Sequence, residues 1–428
     1  MAFAAIAFVS LLLIGIPIAF VVGLVSMGLM FDAGGARFML LVPQRVFAGL
    51  NVFTIMAIPF FFLAAELMTA SRAIEDIVKF ADALVGRLRG GLAHVNIMAS
   101  ALFSTMSGSA LADIATLGSI EIRAMETMGY DRRFATALTV ASSIVGAIIP
   151  PSIILMLYAS VAQVSVAAIF LASIVPGALL IGLLMMLVVL LARKYDFPRR
   201  ERRYSAKEFM TISVDAALPL AMPVIILGGI LSGVFTATEA AAVAVAYILV
   251  IGLFVKRTLK PSDIPGCMLR AGVMTSVIFM VLATANVFGW FIGLERIPEN
   301  IAKSLIGVAS DPVVLLLLIV GVLLLVGMFM DSGAALIVMA PILAPVAVSG
   351  GIHPIHFGIV MALTLVVGLT TPPVGPCLFA AASVSKLRIE TISFAMLPFY
   401  AIQVVFLLML VLVPEISLAL PRMAGFIN

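Results

Sequence analysis

Two polar interruptions in an apolar chain hold the residues with the most chemistry. The first reads Ser104-Thr105-Met106-Ser107-Gly108-Ser109, and the second Gly327-Met328-Phe329-Met330-Asp331-Ser332-Gly333. Downstream of each stands a proline pair, Pro150-Pro151 and Pro372-Pro373, inside another apolar stretch. Ser142, Ser143 and Gly146 flank the first pair; Gly368, Thr370 and Thr371 flank the second. Glycine and proline unwind helices, and unwound backbone leaves carbonyl oxygens without helical partners. Such carbonyls, with hydroxyls and the single carboxylate of Asp331, make a ligand set for a hard monovalent cation such as Na⁺. Half-helices that start at the breaks present free N–H groups and positive dipole ends, which favour an anion.

The cost and meaning of these residues depend on their solvent. The chain has 428 residues, 64% apolar and only 11% charged, where a soluble domain carries about 25% charged residues. A soluble protein could not cover its surface with so few charges. That excludes a soluble enzyme, a nucleic-acid binder and a disordered chain, and leaves a polytopic helical membrane protein. In that setting a carboxylate at mid-depth is expensive, so Asp331 reads as an ion ligand or as the group that orders the ligand loop. Ser107, Gly108 and Ser109 carry two readings, since small residues also let helices pack closely. Asp113, one helical turn past the first break, reads as near the substrate site, with a helix-terminus contact as the alternative.

Other polar residues read as structural. Glu239 follows Thr236-Ala237-Thr238 at a span start, which is a helix cap. Glu66 lies near the Arg72 end of its span and reads as interfacial. His353-Pro354-Ile355-His356 has metal-like spacing, but it lies in a loop with Pro inside, so no metal site is expected. Cys267 and Cys377 fall in apolar runs and imply no disulfide framework. The chain has no Gly-Lys-Ser/Thr phosphate loop and is not itself an ATPase. No Ser/His or paired-Asp arrangement at membrane depth supports a protease, and no mid-span His or Lys supports a proton relay.

About 20 apolar residues cross a bilayer as a helix. Clear spans fall at roughly 2–31, 47–70, 166–192, 209–231, 236–255, 266–294 and 392–414. The N-terminal run has Arg37 as its first basic residue and is too long for a cleaved signal, so it is taken as a span. Segments 134–163 and 355–385 are broken by Pro-Pro. Segments 91–126 and 312–349 break near their midpoints into halves too short for two comfortable crossings, and each is read as a re-entrant hairpin. Ile74, Ile77, Val78, Ala81, Leu84, Val85 and Leu88 form an apolar stripe opposite Glu75, Asp76, Lys79 and Asp82, which suits a helix in the interface plane. Ile297, Ile301, Leu305 and Val308 form a weaker one.

Charge sets the orientation. Loop 193–207, with Arg193, Lys194, Arg199, Arg200, Arg202, Arg203 and Lys207, is placed in the cytoplasm. Alternating outward from it, all of the 25 Lys and Arg fall inside except Arg37, Arg45, Arg296, Lys303 and Arg422. The N-terminus is then inside and the C-terminus outside. The offset that lays Pro150 on Pro372 also pairs Gly129 with Gly351, Ala159 with Ala381 and Ser109 with Asp331. Under this topology the first hairpin opens from the cytoplasm and the second from outside. The expected fold is an all-α polytopic membrane protein of two inverted-topology repeats, each with a re-entrant hairpin and a Pro-Pro-broken helix. Residues 1–192 form the first repeat, 193–235 the basic loop and connector helix, and 236–428 the second repeat. Such inverted repeats with discontinuous helices mark secondary transporters.

The motifs SGSALADIATLGSI (107–120) with ASSIVGAIIPPSI (141–153), and GMFMDSGAALIVMAPILAPV (327–346) with GLTTPPVGP (368–376), resemble the large membrane subunit of TRAP transporters, the tripartite ATP-independent periplasmic family. The resemblance runs through nearly the whole chain. It implies import of organic acid anions, such as C4-dicarboxylates or sialic acid, across the bacterial inner membrane on a Na⁺ gradient. It implies an elevator mechanism, a small four-helix membrane subunit and a periplasmic binding protein. The motif positions that would line the ion sites are Ser107, Gly108, Ser109, Gly146, Asp331, Ser332, Gly368, Thr370 and Thr371. Ser104, Asp113, Ser143, Pro150, Pro151, Pro372 and Pro373 would stand near the substrate. In some such systems the small subunit is fused to the large one; no such domain stands in this sequence, so a separate chain is expected. The competing readings are an anion channel, which would conduct without fixed stoichiometry, a self-sufficient Na⁺/anion symporter, and an intramembrane enzyme, for which catalytic groups are missing.

Overall fold

In a computed structural model the described residues are 2–195, 197, 204–301 and 311–427, with backbone alone for 2–5, 9, 13, 104, 106 and 107. Every regular element among them is helical. Among the described residues seven helices are long and apolar enough to cross a membrane, nine if two bent pairs each count as one span. Large apolar side chains such as Met186, Leu190, Phe254, Leu269, Leu325 and Leu412 stand exposed, as a lipid-facing surface requires.

The run expected as one span over 2–31 is two helices, α1 (Ala2–Leu13) and α2 (Ile18–Gly34). Gly15 turns the chain at φ +88, and Pro17 at the N-cap of α2 has no N–H to donate. Composition hides this break, because the residues around it are as apolar as those of a span. The segment at 47–70 also divides. After the short α3 (Ala36–Met39) come α4 (Val42–Leu50), a 3-10 turn (Phe53–Met56) and α5 (Ala57–Ala70).

The amphipathic stretch is α6 (Ala73–Val85), and its buried stripe is narrower than expected. Ile74, Ile77 and Ala81 are buried against α7 and α12, whereas Leu84 and Leu88 are exposed. Asp82, expected on the polar face, is buried and accepts a hydrogen bond from Tyr204 at 2.5 Å. Asp76 pairs with Lys256. The weaker stripe at 297–308 and the basic loop 193–207 run partly outside the described residues.

The first hairpin is α7 (Gly91–Ser107) and α8 (Ala110–Thr127). The first broken helix is α9 (Arg132–Ile148) and α10 (Ile153–Val161), bent by 43° across a cis Pro150-Pro151 bond. Then follow α11 (Val166–Lys194), α12 (Ala206–Leu231), α13 (Ala237–Val250) with a π turn (Ile251–Val255), and α14 (Ile264–Leu294). The second hairpin is α15 (Pro312–Phe329) and α16 (Ser332–Ser349). The second broken helix is α17 (Pro354–Gly368) and α18 (Pro376–Ser385), again with a cis bond, Pro372-Pro373. The chain continues through α19 (Ile389–Ala395) and α20 (Leu397–Leu412) to α21 (Glu415–Met423). Glu239 does cap its helix: the Thr236 N–H donates to its carboxylate at 2.8 Å.

The arms of the second hairpin are 18 residues each, about 27 Å at 1.5 Å per residue. They are longer than the halves expected from sequence, so arm length alone does not separate them from spans. Each hairpin packs around a buried helix. In α9 every residue from Ala135 to Ile148 is buried, and in α17 every residue from Ile355 to Gly368. A helix apolar and buried on all sides is a core element. The arms α7 and α8 wrap α9, while α15 and α16 wrap α17. The halves also exchange contacts: α8 packs on α18, and α16 on α10. A separate layer forms where α2, α4 and α5 pack along α14 and α13 packs on α5.

Candidate functional site

Each hairpin tip is seated against a helix break. Gly108 has φ +59 and lies so close to the first break that a Cβ there would be 3.3 Å from the Ile153 nitrogen. Only glycine takes that conformation at that distance without strain. In the second half, the Gly375 N–H donates to the Met328 carbonyl at 2.9 Å. The backbones of Gly327 and Gly368 also touch, since a Cβ on Gly368 would lie 2.7 Å from the Gly327 Cα.

Capping residues open the half-helices at these tips. Ser109 caps α8, its hydroxyl accepting the Ala112 N–H at 3.4 Å. Asp331 caps α16, with Oδ1 accepting from Gly333 at 2.9 Å and Ala334 at 3.3 Å. Ser152 caps α10, accepting from Leu155 at 3.4 Å. All three starts converge on one cavity of about 460 Å³. Gly108, Ser109, Asp331 and Ser332 line one wall of it, and Glu66 and Thr69 of α5 line the other. Glu66 accepts a hydrogen bond from Arg270 at 2.6 Å, tying the end of α5 to α14. The chemistry on offer is three positive helix ends, hydroxyl and carbonyl oxygens, and carboxylates in apolar surroundings.

The remaining candidates lie behind this wall. Gly146 and Ser143 are buried in α9, the Ser143 hydroxyl donating to the Val140 carbonyl at 2.8 Å. Gly368 and Thr370 are buried at the end of α17. Thr370 donates to Val367 at 2.8 Å, and its own carbonyl accepts from the Tyr400 hydroxyl at 2.8 Å. Thr371 also donates to Val367, at 3.0 Å. Pro150 and Pro151 are buried, whereas Pro372 and Pro373 are exposed. The side chains of Ser104 and Ser107 lie outside the described residues. His353 caps α17 while His356 turns inward to Ser417 at 2.7 Å, so the two rings diverge.

Asp113 does not line the cavity. It is 0% exposed, buried between the first hairpin and its neighbours, and among the described residues neither carboxylate oxygen accepts a hydrogen bond. The Ser100 hydroxyl stands beside it but is hydrogen-bonded to Ser142 at 3.2 Å. This belongs to a buried polar network that sequence reasoning missed. Asn96 of α7 donates to Glu121 of α8 at 2.5 Å and to Thr139 of α9 at 2.9 Å. Its carbonyl accepts from Ser142 at 2.7 Å. Glu121 lies well inside α8, which runs on to Thr127, and is 5% exposed. The available signal was Asn96, an amide in an apolar hairpin arm.

The comparisons with known proteins agree with this architecture. The sialic acid TRAP transporter large permease protein SiaM of Vibrio cholerae is 37% identical, over 96% of both chains. The C4-dicarboxylate TRAP transporter large permease protein DctM of Pseudomonas aeruginosa is 38% identical, over 89% of each. In fold, the crystal structure of the Alcanivorax borkumensis YdaH transporter matches with a TM-score of 0.62 at 16% identity, covering 96% of this chain and 97% of that one. The family described as "Tripartite ATP-independent periplasmic transporter, DctM component" matches residues 5–416. On that match and those identities, this chain is a membrane permease of the DctM family of tripartite ATP-independent periplasmic transporters.

Proposed function

We propose that this chain imports organic acid anions across the bacterial inner membrane, coupled to a Na⁺ gradient. The observation that carries the reading is the convergence of the α8, α10 and α16 N-termini on one cavity beside the Asp331 carboxylate. Positive helix ends favour the carboxylate of an organic acid. The unwound backbone and hydroxyls around the hairpin tips favour Na⁺, and binding both together neutralises part of the charge each must carry into the membrane. Relatives that carry sialic acid and C4-dicarboxylates support this substrate class.

The ion ligands in this reading are drawn from Ser107, Gly108, Ser109 and Gly146 on one side, and Asp331, Ser332, Gly368, Thr370 and Thr371 on the other. The two halves, 1–192 and 236–428, are inverted repeats joined through the 193–235 connector, with the N-terminus cytoplasmic and the C-terminus periplasmic. The hairpins and broken helices move as one transport domain against a frame that includes α2, α4, α5, α13 and α14, as an elevator. Tight seating of hairpin tips on helix breaks supports rigid motion of that unit. A small membrane subunit and a periplasmic binding protein complete the system, a reading supported by the tripartite, periplasmic character of the family.

The test is uptake of radiolabelled succinate and N-acetylneuraminate into proteoliposomes holding the complete system, with and without an inward Na⁺ gradient. Accumulation above equilibrium only with the gradient is expected. Gradient-independent equilibration would mean a channel instead.

A further inference from the structure

A second cavity, of about 300 Å³, continues the first along the same elements. On α14, Met274 and Ile278 face the first cavity and Leu282, Asn286 and Trp290 the second. On α10, Leu157 faces the first and Ser160 the second; on α16, Gly333 the first and Pro341 the second. Successive turns of three helices therefore line the two cavities in order along the same elements. In the proposed topology the second chamber is the outer one.

This chamber has its own charge. Arg45 lines it, with the guanidinium 4.8 Å from the centre of the Trp290 ring. Phe38 braces that ring edge-on at 5.8 Å. The ring face holds the guanidinium by a cation–π contact, and among the described residues no side-chain hydrogen bond occupies its N–H groups. No carboxylate lines the chamber, and among the described residues Arg45 makes no ion pair. Asn286 and Gln163 add amide groups at the wall. Arg45 is half-buried, and an unpaired cation in a partly open cleft focuses its field on passing anions. A planar fork matches a carboxylate with two parallel bonds. The volume sits at the small end for ligand sites, roughly 300–1,000 Å³, so it fits a small organic acid.

We propose that this chamber is a carboxylate-binding site at the outer end of the substrate path, with Arg45 as its anchor. The anion is held there before the hairpin tips take it, so the site selects for a carboxylate at the start of import. The placement on the path rests on the import reading above; binding itself does not. A phosphate headgroup of a lipid offers Arg45 a similar charge and is the competing occupant.

Trp290 is the sole tryptophan of the sequence, so its fluorescence reports on this chamber directly. The full chain in phospholipid-free detergent is titrated with succinate, N-acetylneuraminate and, as the uncharged control, dimethyl succinate. Saturable quenching by at least one acid and none by the ester is expected. Arg45→Gln is expected to raise the half-saturating concentration about tenfold or more, the worth of a charged hydrogen bond. Arg45→Lys, which keeps the charge without the fork, falls between. Circular dichroism confirms that each variant is folded. Equal titrations in wild type and Arg45→Gln, an equal response to the ester, or no saturable response to either acid overturns the proposal. So does a response to phosphatidylglycerol alone. No gradient or partner is needed, so failure of uptake and failure of this site are read separately.

Discussion

Ser109 and Asp331 do the same structural job in the two hairpins: each caps the second arm with a side-chain oxygen. The internal offset pairs these two positions in the sequence, and the fold gives them one role. Only one of them is charged. The two tips are therefore alike in capping and unlike in charge. A site that binds an anion and a cation side by side gains from that asymmetry, because the cation goes to the charged tip and leaves the other helix ends to the anion.

Capping and charge at Asp331 can be separated. Asn caps a helix about as well as Asp, whereas Ala costs about 0.5–2 kcal/mol. Asp331→Asn is expected to keep its thermal stability and to need several-fold more Na⁺ for half-maximal uptake. Asp331→Ala should lose both. Ser109→Ala and Thr371→Ala should shift the Na⁺ requirement less, because a neutral oxygen contributes less to a cation than a carboxylate. An unchanged Na⁺ requirement in folded Asp331→Asn removes the charge from the ion site.

Part of this arrangement was legible because helix breaks need special residues. Gly108 and both Pro-Pro pairs are punctuation that survives in any apolar background, and the helices do end at those positions. The turn at Gly15–Pro17 uses the same residue types, but a single Pro is tolerated within membrane helices and the run reads as one span. The Asn96–Glu121 contact was hidden for another reason. It joins residues far apart in sequence across two arms of a hairpin, and nothing in periodicity reports which faces meet. The narrower stripe on α6 has the same origin, since packing against α7 and α12 decides which side of an amphipathic helix is covered.

That network should be a stability element. Asn96→Ala removes the donor to Glu121 and Thr139 and leaves buried polar atoms without partners. Such a loss costs about 1–3 kcal/mol. Thr127→Ala, which removes an exposed hydroxyl bonded within its own helix, should stay within about 0.5 kcal/mol. Chemical unfolding followed by circular dichroism compares the two. Equal midpoints would show that the network contributes no net stability.

The proposed orientation rests on the basic residues, which concentrate in and around loop 193–207. A reporter active only in the periplasm, fused after Asn428, should be active, and the same reporter placed within 193–207 silent. The reverse pattern is incompatible with the inverted-repeat topology.

The last expectation concerns what this chain does without partners. Under the proposed topology the outer connections between helices include 164–165, 232–235, 295–311 and 350–354. None is long enough for a domain that captures a dilute solute, which takes on the order of 100 residues. The Arg45 chamber offers one guanidinium and a few amides, enough to orient a delivered acid and too little to concentrate it from dilute solution. Delivery therefore falls to the binding protein, and the outer rim beside the second hairpin is where it would sense the site. Reconstituted alone with a Na⁺ gradient, this chain is expected to import little or no succinate or N-acetylneuraminate. Adding the small subunit and the loaded binding protein together should restore uptake, and adding either one should not. Full-rate uptake by the chain alone would make it a self-sufficient symporter and would remove the need for either partner.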